Sequence, residues 1–425
     1  MRFRDFHKNI KIRIIEGFIS SFISSMVYPF MAIYLAHHFG VKLAGILLLI
    51  NVFVGVAINF FGGYFSDRIG RKKMMAIAEF MHLIIFLTMA LCNSPFYQSA
   101  IITYLMMTLN SISWGIGGPA VQAMLIDVSK PEQRKTMYSI MYWANNLSIA
   151  LGGLIGGFMF KNYLFELFIV LSFVSLVSVT LVLFFIDESY KPNQQIERVT
   201  KLKHITNMFS SYRSVFKDRV FILFVLASTL VLSMEFQLTN YVGIHLANDF
   251  GLQKIFSWEV DGIQALAFLR TENTIFVVIL ALFATKLVEK MNDRFVLLFT
   301  SFIFVMGYGI ISYSTNLWIL FIVMFIATAG EVLSVPVQQK YTSHLPPDDA
   351  RSSYMAISGL SFNLMTLICS ITISLSAFLS SLGTTIMITI IGLLGVVIYF
   401  VIGNQLEKRV FKSSQKESSL LKSSS

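Results

Sequence analysis

The stretch GGYFSDRIGRKK, residues 62–73, lies between two long apolar runs and reads as a short turn joining two helices. Gly63 lets a neighbouring helix approach closely, and Asp67 stands at a water boundary, where it can pair with a cation from an adjacent helix end. Gly70 permits the tight turn, and Arg68, Arg71, Lys72 and Lys73 keep their charge in water. A basic loop wedged between such apolar runs is the pattern of a membrane chain whose loop faces the cytoplasm.

The whole chain follows that pattern. Of its 425 residues 56% are apolar and only 13% charged, and its mean hydropathy is +0.71, so the solvent for most of it is lipid. Twelve apolar windows are long enough to span a bilayer: 14–36, 43–65, 74–93, 99–123, 137–160, 164–186, 220–247, 262–285, 295–314, 317–339, 352–379 and 383–403. The N-terminus, even-numbered loops and C-terminal tail hold 29 of the 33 Lys and Arg, whereas the odd-numbered loops hold only Lys42, Lys161 and Lys254. That asymmetry places both termini and the central loop in the cytoplasm and reads the net charge of +10 as topology plus anionic lipid, not as a nucleic-acid face. The basic start MRFRDFHKNIKIR leads into an apolar run without a small-residue cleavage site, which reads as an uncleaved first helix. Cys92 and Cys369 lie in or at the ends of spans and read as inert buried thiols.

The polar segment 188–219 divides the spans six and six, giving an N-terminal bundle over 1–187, a cytoplasmic loop over 188–219, a C-terminal bundle over 220–403 and a disordered cytoplasmic tail over 404–425. Internal echoes support two related halves. Pro119, Gln122 and Arg134 recur as Pro336, Gln339 and Arg351, each 217 residues later. Asp67, Arg68 and Lys72 recur as Glu289, Lys290 and Arg294 at an offset of 222.

The spacing G-x-x-x-D-R-x-G-R-K between the second and third of twelve spans resembles the signature loop of the major facilitator superfamily. The resemblance covers the chain from the first span to the twelfth. It implies an all-α membrane protein, with twelve transmembrane helices in two pseudo-symmetric six-helix bundles around a cavity that opens to alternate sides. It also implies a gate latch at Gly63, Asp67, Arg68, Gly70 and Arg71, supported by Asp127 and Arg134. Within the superfamily the chain is most similar to the drug/proton antiporter branch. Two departures are visible: Gly153 stands where the antiporter motif of the fifth span carries proline, and Ser111 stands near the place of an expected arginine in the fourth. Gly152, Gly156 and Gly157 still offer a close-packing face.

Two carboxylates are out of place in apolar spans: Glu235 in SMEFQLTN, residues 233–240, and Glu331 in ATAGEVLSVP, residues 327–336. An ionised carboxylate at mid-bilayer costs about 2.5–3.5 kcal/mol on insertion scales, so such a group meets a cavity, a partner or a proton. A carboxyl shut into apolar surroundings keeps its proton, and one that meets water or a cation releases it, so protons and cations compete there. Helical spacing aligns Ser228, Glu235 and Thr239 on one face, and Glu331, Ser334 and Gln338 on another. The alternative for each acid is a permanent interhelical hydrogen bond. Arg270 is the one basic residue placed inside a span; it pairs with Glu272, Asp261 or Glu235, or snorkels outward. Glu16 and Glu79 begin their spans near the cytoplasmic surface, where pairing with Arg13 or the basic loop is expected. Trp114, Phe236 and Asn145 are further candidates for the cavity, and Trp114 occupies the position that Glu331 holds in the repeat, which sets the ring and the acid across the pore.

His37 and His38 have no acid or Cys at metal spacing, no ATP-binding loop is present, and no nucleophile and base are arranged for catalysis. The sequence therefore predicts neither a metal site, nor a cofactor, nor an enzyme. It predicts a monomeric multi-pass protein of the bacterial plasma membrane, whose partners are lipids, protons and a small-molecule substrate: a proton-coupled exporter of lipophilic cations. The alternatives are a transporter of one metabolite, peptide or lipid-linked sugar, and a receptor or enzyme that transports nothing.

Overall fold

The computed structural model describes residues 6–189, 215–255, 257–347 and 351–423; within its helices the side chains at 59–68, 131–132, 135, 139, 282, 285, 343, 351–353, 356 and 411–423 lie outside that description. Helices dominate. In chain order they are α1 (Lys8–Ser25), α2 (Met31–Phe39), α3 (Val41–Ile69), α4 (Arg71–Leu91), α5 (Ala100–Asp127), α6 (Pro131–Met159) and α7 (Leu164–Phe184). They continue with α8 (Arg219–Gln237), α9 (Gly243–Asp249), α10 (Gly262–Val288), α11 (Asp293–Ile311), α12 (Leu317–His344), α13 (Arg351–Gly359), α14 (Ser361–Ser376) and α15 (Ser381–Ser423).

Polar residues start these helices where the sequence supplies them. The side chains of Ser99, Asp218, Asn292 and Asn316 accept hydrogen bonds from the first amides of α5, α8, α11 and α12, which would otherwise stay unsatisfied. The repeated prolines, Pro119 and Pro336, both fall inside long helices, α5 and α12. Eleven helical stretches among the described residues are long and apolar enough to cross a membrane. The fifth window of the sequence corresponds to α6, which is 29 residues long but carries Asn145, Asn146 and Ser148 and is not among the eleven.

The chain forms two compact units: Met1–Gln194 with Gly243–Thr274, and Gln195–Val242 with Ile275–Ser425. A plain cut at the central loop misses this exchange, because α9, a short hairpin and the first half of α10 pack with the first unit. Backbone proximity explains it: a Cβ on Gly157 of α6 would fall on that of Ala267 in α10, and α9 lies against α2. In the first unit, Met74, Met75, Ala120, Met124 and Val182 form a buried cluster joining α4, α5 and α7. Gly152 and Gly156 bring α6 onto the backbone of α1 at Phe22 and Met26, the close-packing face their spacing predicts.

In the second unit, Phe224 of α8 packs its ring 6.0 Å from Tyr341 of α12 and 5.9 Å from Tyr399 of α15. Here Gly392 and Gly395 of α15 make the close approach to α8, where a Cβ at Gly395 would stand 2.8 Å from the Ala227 carbonyl oxygen.

Three features go beyond the sequence reading. Strands β1 (Gln253–Ile255) and β2 (Trp258–Val260) pair antiparallel as a short hairpin in the loop between the seventh and eighth spans of an otherwise helical fold. The seventh span is interrupted after Gln237 by a π-helical turn, Leu238–Val242. The final helix runs on to Ser423 through residues expected to form a disordered tail, and near the start of that stretch Glu407 and Arg409 find partners in Asn292 and Asp218. The central loop expected over 188–219 lies mostly outside the described residues.

Candidate transport site

Glu331 sits midway along α12 and is partly buried, at the head of a polar column. Ser334 Oγ donates to the Glu331 carbonyl at 2.7 Å, Gln338 Nε2 donates to Ser334 Oγ at 2.9 Å, and Thr342 Oγ1 donates to the Gln338 carbonyl at 2.8 Å. These i, i+3 and i+4 steps keep the column on one face and carry it to the end of the helix that precedes Arg351.

Glu235, also partly buried, lies three residues before the π-helical turn. Such turns re-aim the residues around them and frequently mark functional positions. The predicted stripe of α8 is divided: Ser228 hydrogen-bonds Tyr399 of α15 at 2.7 Å, which makes it a packing contact, and Thr239 lies within the π turn. Next to Glu235, Phe236 packs edge-on to Phe362 of α14 at 5.4 Å, and the Phe362 ring is exposed. Both acids therefore belong to the second unit, on two helices that meet at the Phe224 and Tyr341 rings.

The other candidates lie in the first unit. Arg270 is partly buried, and a Cβ on Gly153 would stand 3.7 Å from its Nη1, so the glycine found in place of the motif proline borders this guanidinium. Asp261 is engaged by Lys161 at 3.8 Å and by a reciprocal cap with Gln264. Glu272 has a buried Oε2 without a hydrogen-bond partner among the described residues. Asn145 accepts a hydrogen bond from Ser21 of α1 at 2.9 Å, which joins α6 to α1. Trp114 is exposed along one side and lies with its ring centre 5.4 Å from that of His82 in α4.

The basic loop at 62–73 is described in part. Gly63, Asp67 and Arg68 have side chains outside the described set. Gly70 has φ of +105° and ψ of 152°, a conformation open only to glycine, and a Cβ there would stand 2.7 Å from Glu188 Oε2. The Glu188 carboxylate accepts hydrogen bonds from the Arg71 and Lys72 amides at 3.1–3.3 Å, an anion at the N-terminus of α4. Arg71 Nε reaches Asp127 Oδ2 at 3.5 Å, and Ser189 donates to the same oxygen at 3.2 Å. Arg134 turns instead to the Ser129 hydroxyl and the Ile126 carbonyl, capping the end of α5 rather than pairing with Asp127.

At the equivalent end of the second unit, Arg409 Nη1 stands 2.7 Å from Asp218 Oδ2, and Tyr354 donates to the same oxygen at 3.0 Å. Burial pushes the Asp218 carboxyl up, but the Arg409 and Phe221 hydrogen bonds, the Arg409 charge and the Tyr354 hydroxyl outweigh it and hold the group below the usual carboxylate range.

Sequence reasoning missed His82. Its Nδ1 lies 3.3 Å from Glu79 Oε2, and Glu79 and Glu16 both meet Arg13. Pairing of the two acids with Arg13 was expected; Arg13, Glu16 and His82 are buried in the first unit and Glu79 is partly buried beside them. The available signal was the E-x-x-H spacing of Glu79 and His82, one helical turn apart.

Comparisons with known proteins place this architecture. The sequence profile of the Major Facilitator Superfamily matches residues 15–269 and 228–424. A Na(+), Li(+), K(+)/H(+) antiporter of Planococcus maritimus is 31% identical over 392 residues, covering 89% of this chain and 92% of that protein. Multidrug resistance protein MdtH of Baumannia cicadellinicola subsp. Homalodisca coagulata is 23% identical over 345 residues, covering 80% of this chain and 77% of that one. Among solved structures, a peptide transporter POT in complex with sulfate superposes with a TM-score of 0.72 at 15% identity, covering 96% of both chains. The nucleoside transporter NupG does so with a TM-score of 0.67 at 12% identity, over 94% of this chain and 99% of that one. With most of its length matched by the family profile and a near full-length relative, this chain belongs to the major facilitator superfamily of membrane transporters.

Proposed function

We propose that this transporter is a proton-driven antiporter of the bacterial plasma membrane, exporting cations in exchange for protons by alternating access, with both termini in the cytoplasm. The observation that carries this is Glu331: a partly buried carboxylate in mid-span, on a residue whose backbone carbonyl accepts from Ser334 at the head of a polar column along α12. At such a site a cation arriving from the cytoplasmic side displaces a proton, and a proton arriving from outside displaces the cation. Glu235, beside the π-helical turn of α8, is the second exchange group, and Arg270 supplies the positive charge that the fourth span lacks. Trp114, Phe236, Gln338 and Asn145 line the path. Asp67, Arg68 and Arg71, with Asp127, latch the gate.

Inorganic monovalent cations come first as cargo, because a relative that matches 89% of the chain is a Na(+), Li(+), K(+)/H(+) antiporter. Lipophilic organic cations are the second class, favoured by the Phe236–Phe362 ring pair beside Glu235. Everted membrane vesicles acidified inside test both. Adding Na⁺, Li⁺, K⁺ or a lipophilic dye such as ethidium to vesicles containing the protein is expected to dissipate the pH gradient with at least one of these. No dissipation with any of them, above vesicles lacking the protein, contradicts proton-coupled cation export.

A further inference from the structure

Inside the first unit four ionisable side chains meet away from water. Arg13 and Glu16 come from α1, Glu79 and His82 from α4. Arg13 Nη1 lies 2.7 Å from Glu16 Oε2 and 3.7 Å from Glu79 Oε1, and His82 Nδ1 lies 3.3 Å from Glu79 Oε2. Arg13, Glu16 and His82 are 9%, 4% and 7% exposed. Around them α7 contributes the Ser178 hydroxyl, α5 the Trp114 ring, and Ser20 of α1 a second hydroxyl. Among the described residues no other charged side chain pairs with the four.

Charge counting sets what such a group requires. One guanidinium and two carboxylates sum to −1 when the imidazole is neutral, and to zero when the cluster holds one further proton. A buried net charge is costly and a neutral, hydrogen-bonded set is not, so the closed cluster favours the protonated count. The two acids are held unequally. Glu16 Oε1 accepts hydroxyl hydrogen bonds from Ser178 at 2.9 Å and Ser20 at 3.3 Å, and its Oε2 lies against the Arg13 guanidinium. Glu79 has the more distant contact with Arg13 and shares His82.

On the imidazole, a proton on Nδ1 serves Glu79, which leaves Nε2 as the atom that gains or loses the extra proton. Nε2 is buried and has no hydrogen-bond partner among the described residues. The Trp114 ring centre lies 5.4 Å from that of the imidazole, and Trp114 is itself 54% exposed.

We propose that Arg13, Glu16, Glu79 and His82 form a one-proton binding site in the first unit, distinct from the Glu235 and Glu331 acids of the second, in which His82 Nε2 takes up and releases the proton while Glu79 compensates its charge. In the bound form the imidazolium holds protons on both nitrogens. Release leaves the Nδ1–H imidazole, with the proton passing to water when Trp114 moves aside. Its use in transport rests on the proton-coupled reading above; its existence does not. A purely structural ion-pair network needs Arg13 and one acid, and gives His82 no titration.

The test separates the two levels. Purified full-length protein carrying ¹⁵N-ring-labelled histidine is titrated in detergent between about pH 5 and pH 9 and followed by infrared difference spectroscopy, with H82Q identifying the His82 signal. The expected result is an imidazole-to-imidazolium change at His82 whose midpoint moves toward acid by about tenfold or more in proton concentration in E79Q. If E79Q does not fold, E79D keeps the charge at a longer distance and is expected to give a smaller shift of the same sign. An H82Q-sensitive band that never changes with pH, or a midpoint unmoved by either variant, overturns the site. In proteoliposomes, folded E79Q is expected to keep cation exchange at equal pH, scored with Na⁺ and ethidium, while losing uphill transport driven by a pH gradient. Wild-type vesicles that move neither cation contradict the transport reading alone, because the His82 titration stands or falls by itself.

Discussion

The two units solve the same two problems with opposite parts. At the start of α4, Arg71 reaches Asp127 at the end of α5; at the start of α11, the residue at the same repeat position is Asp293, which meets Lys340 of α12 at 2.5 Å. The ion pair is kept with its signs exchanged, so the fold requires a bridge between those helices and not a particular polarity. Around the pair the units differ further. The first uses Gly70 in a glycine-only conformation and the Glu188 carboxylate on two amides, whereas the second uses Asn292 as an ordinary helix cap, held in turn by Glu407 of α15. Close packing against the leading helix also changes hands: glycines of α6 approach α1, and glycines of α15 approach α8. What the first junction has and the second lacks is thus a strained turn tied to the chain that enters the central segment.

The largest effect tests the exchanged glycines. In Gly156→Val the new side chain meets the Met26 backbone, and in Gly395→Val the Ala227 carbonyl. Each is expected to cost about 3 kcal/mol, read as a fall in the thermal midpoint of detergent-solubilised protein. A valine at Gly55 of α3, where a Cβ meets nothing within 4 Å, is the control. Equal midpoints for all three would remove the packing half of the comparison.

The junctions come next. Gly70→Ala is expected to cost about 2 kcal/mol, because the backbone is in a conformation alanine avoids and the methyl group displaces Glu188. Asn292→Ala in the second unit is expected to cost about 1 kcal/mol, the ordinary loss of a cap. A reversed order would show that the strain at Gly70 is not what distinguishes the first junction.

The acids at the two ends sharpen the contrast through pH. Asp218 is held below its unfolded value of about 3.9, so its contribution is fully present above that value and is lost as pH falls through the lower folded one. Asp218→Asn is expected to lower stability by about 1.5 kcal/mol at every pH from about 5 to 8, with no slope relative to wild type across that window. A difference that grows between those limits would assign the effect to another group.

The smallest effect tests polarity. Arg71→Asp and Asp127→Arg are each expected to cost about 0.5–1 kcal/mol, and the double variant, which copies the signs of the second unit, to recover most of it. No recovery would mean that the first junction reads its own polarity, as a gate in contact with further charges requires.

Much of this was legible in the sequence because lipid imposes simple rules. Apolar length gave the spans, charge asymmetry the sidedness expected of them, and glycine spacing the face that brings α6 onto α1. Hydropathy averages over backbone geometry, so the π-helical turn after Glu235 and the Gln253–Val260 hairpin carried no signal. Glu16 and Glu79 were placed near the cytoplasmic surface by their rank in the span, and packing of α1, α4 and α7 buries Glu16 and partly covers Glu79. The partner of Asp127 carried no sequence signal: Arg134 is close in sequence but turns to the Ile126 carbonyl, and Arg71 arrives from another helix. Ion pairs between distant segments depend on which helix faces which, and composition does not encode that.

The central claim is that Glu331 exchanges protons for a cation. Glu331→Gln, reconstituted in proteoliposomes at wild-type density and with an unchanged thermal midpoint, is expected to reduce pH-gradient-driven movement of Na⁺, K⁺ and ethidium to the level of protein-free vesicles. A Glu331→Gln protein that drives any of them uphill at the wild-type rate would contradict the account.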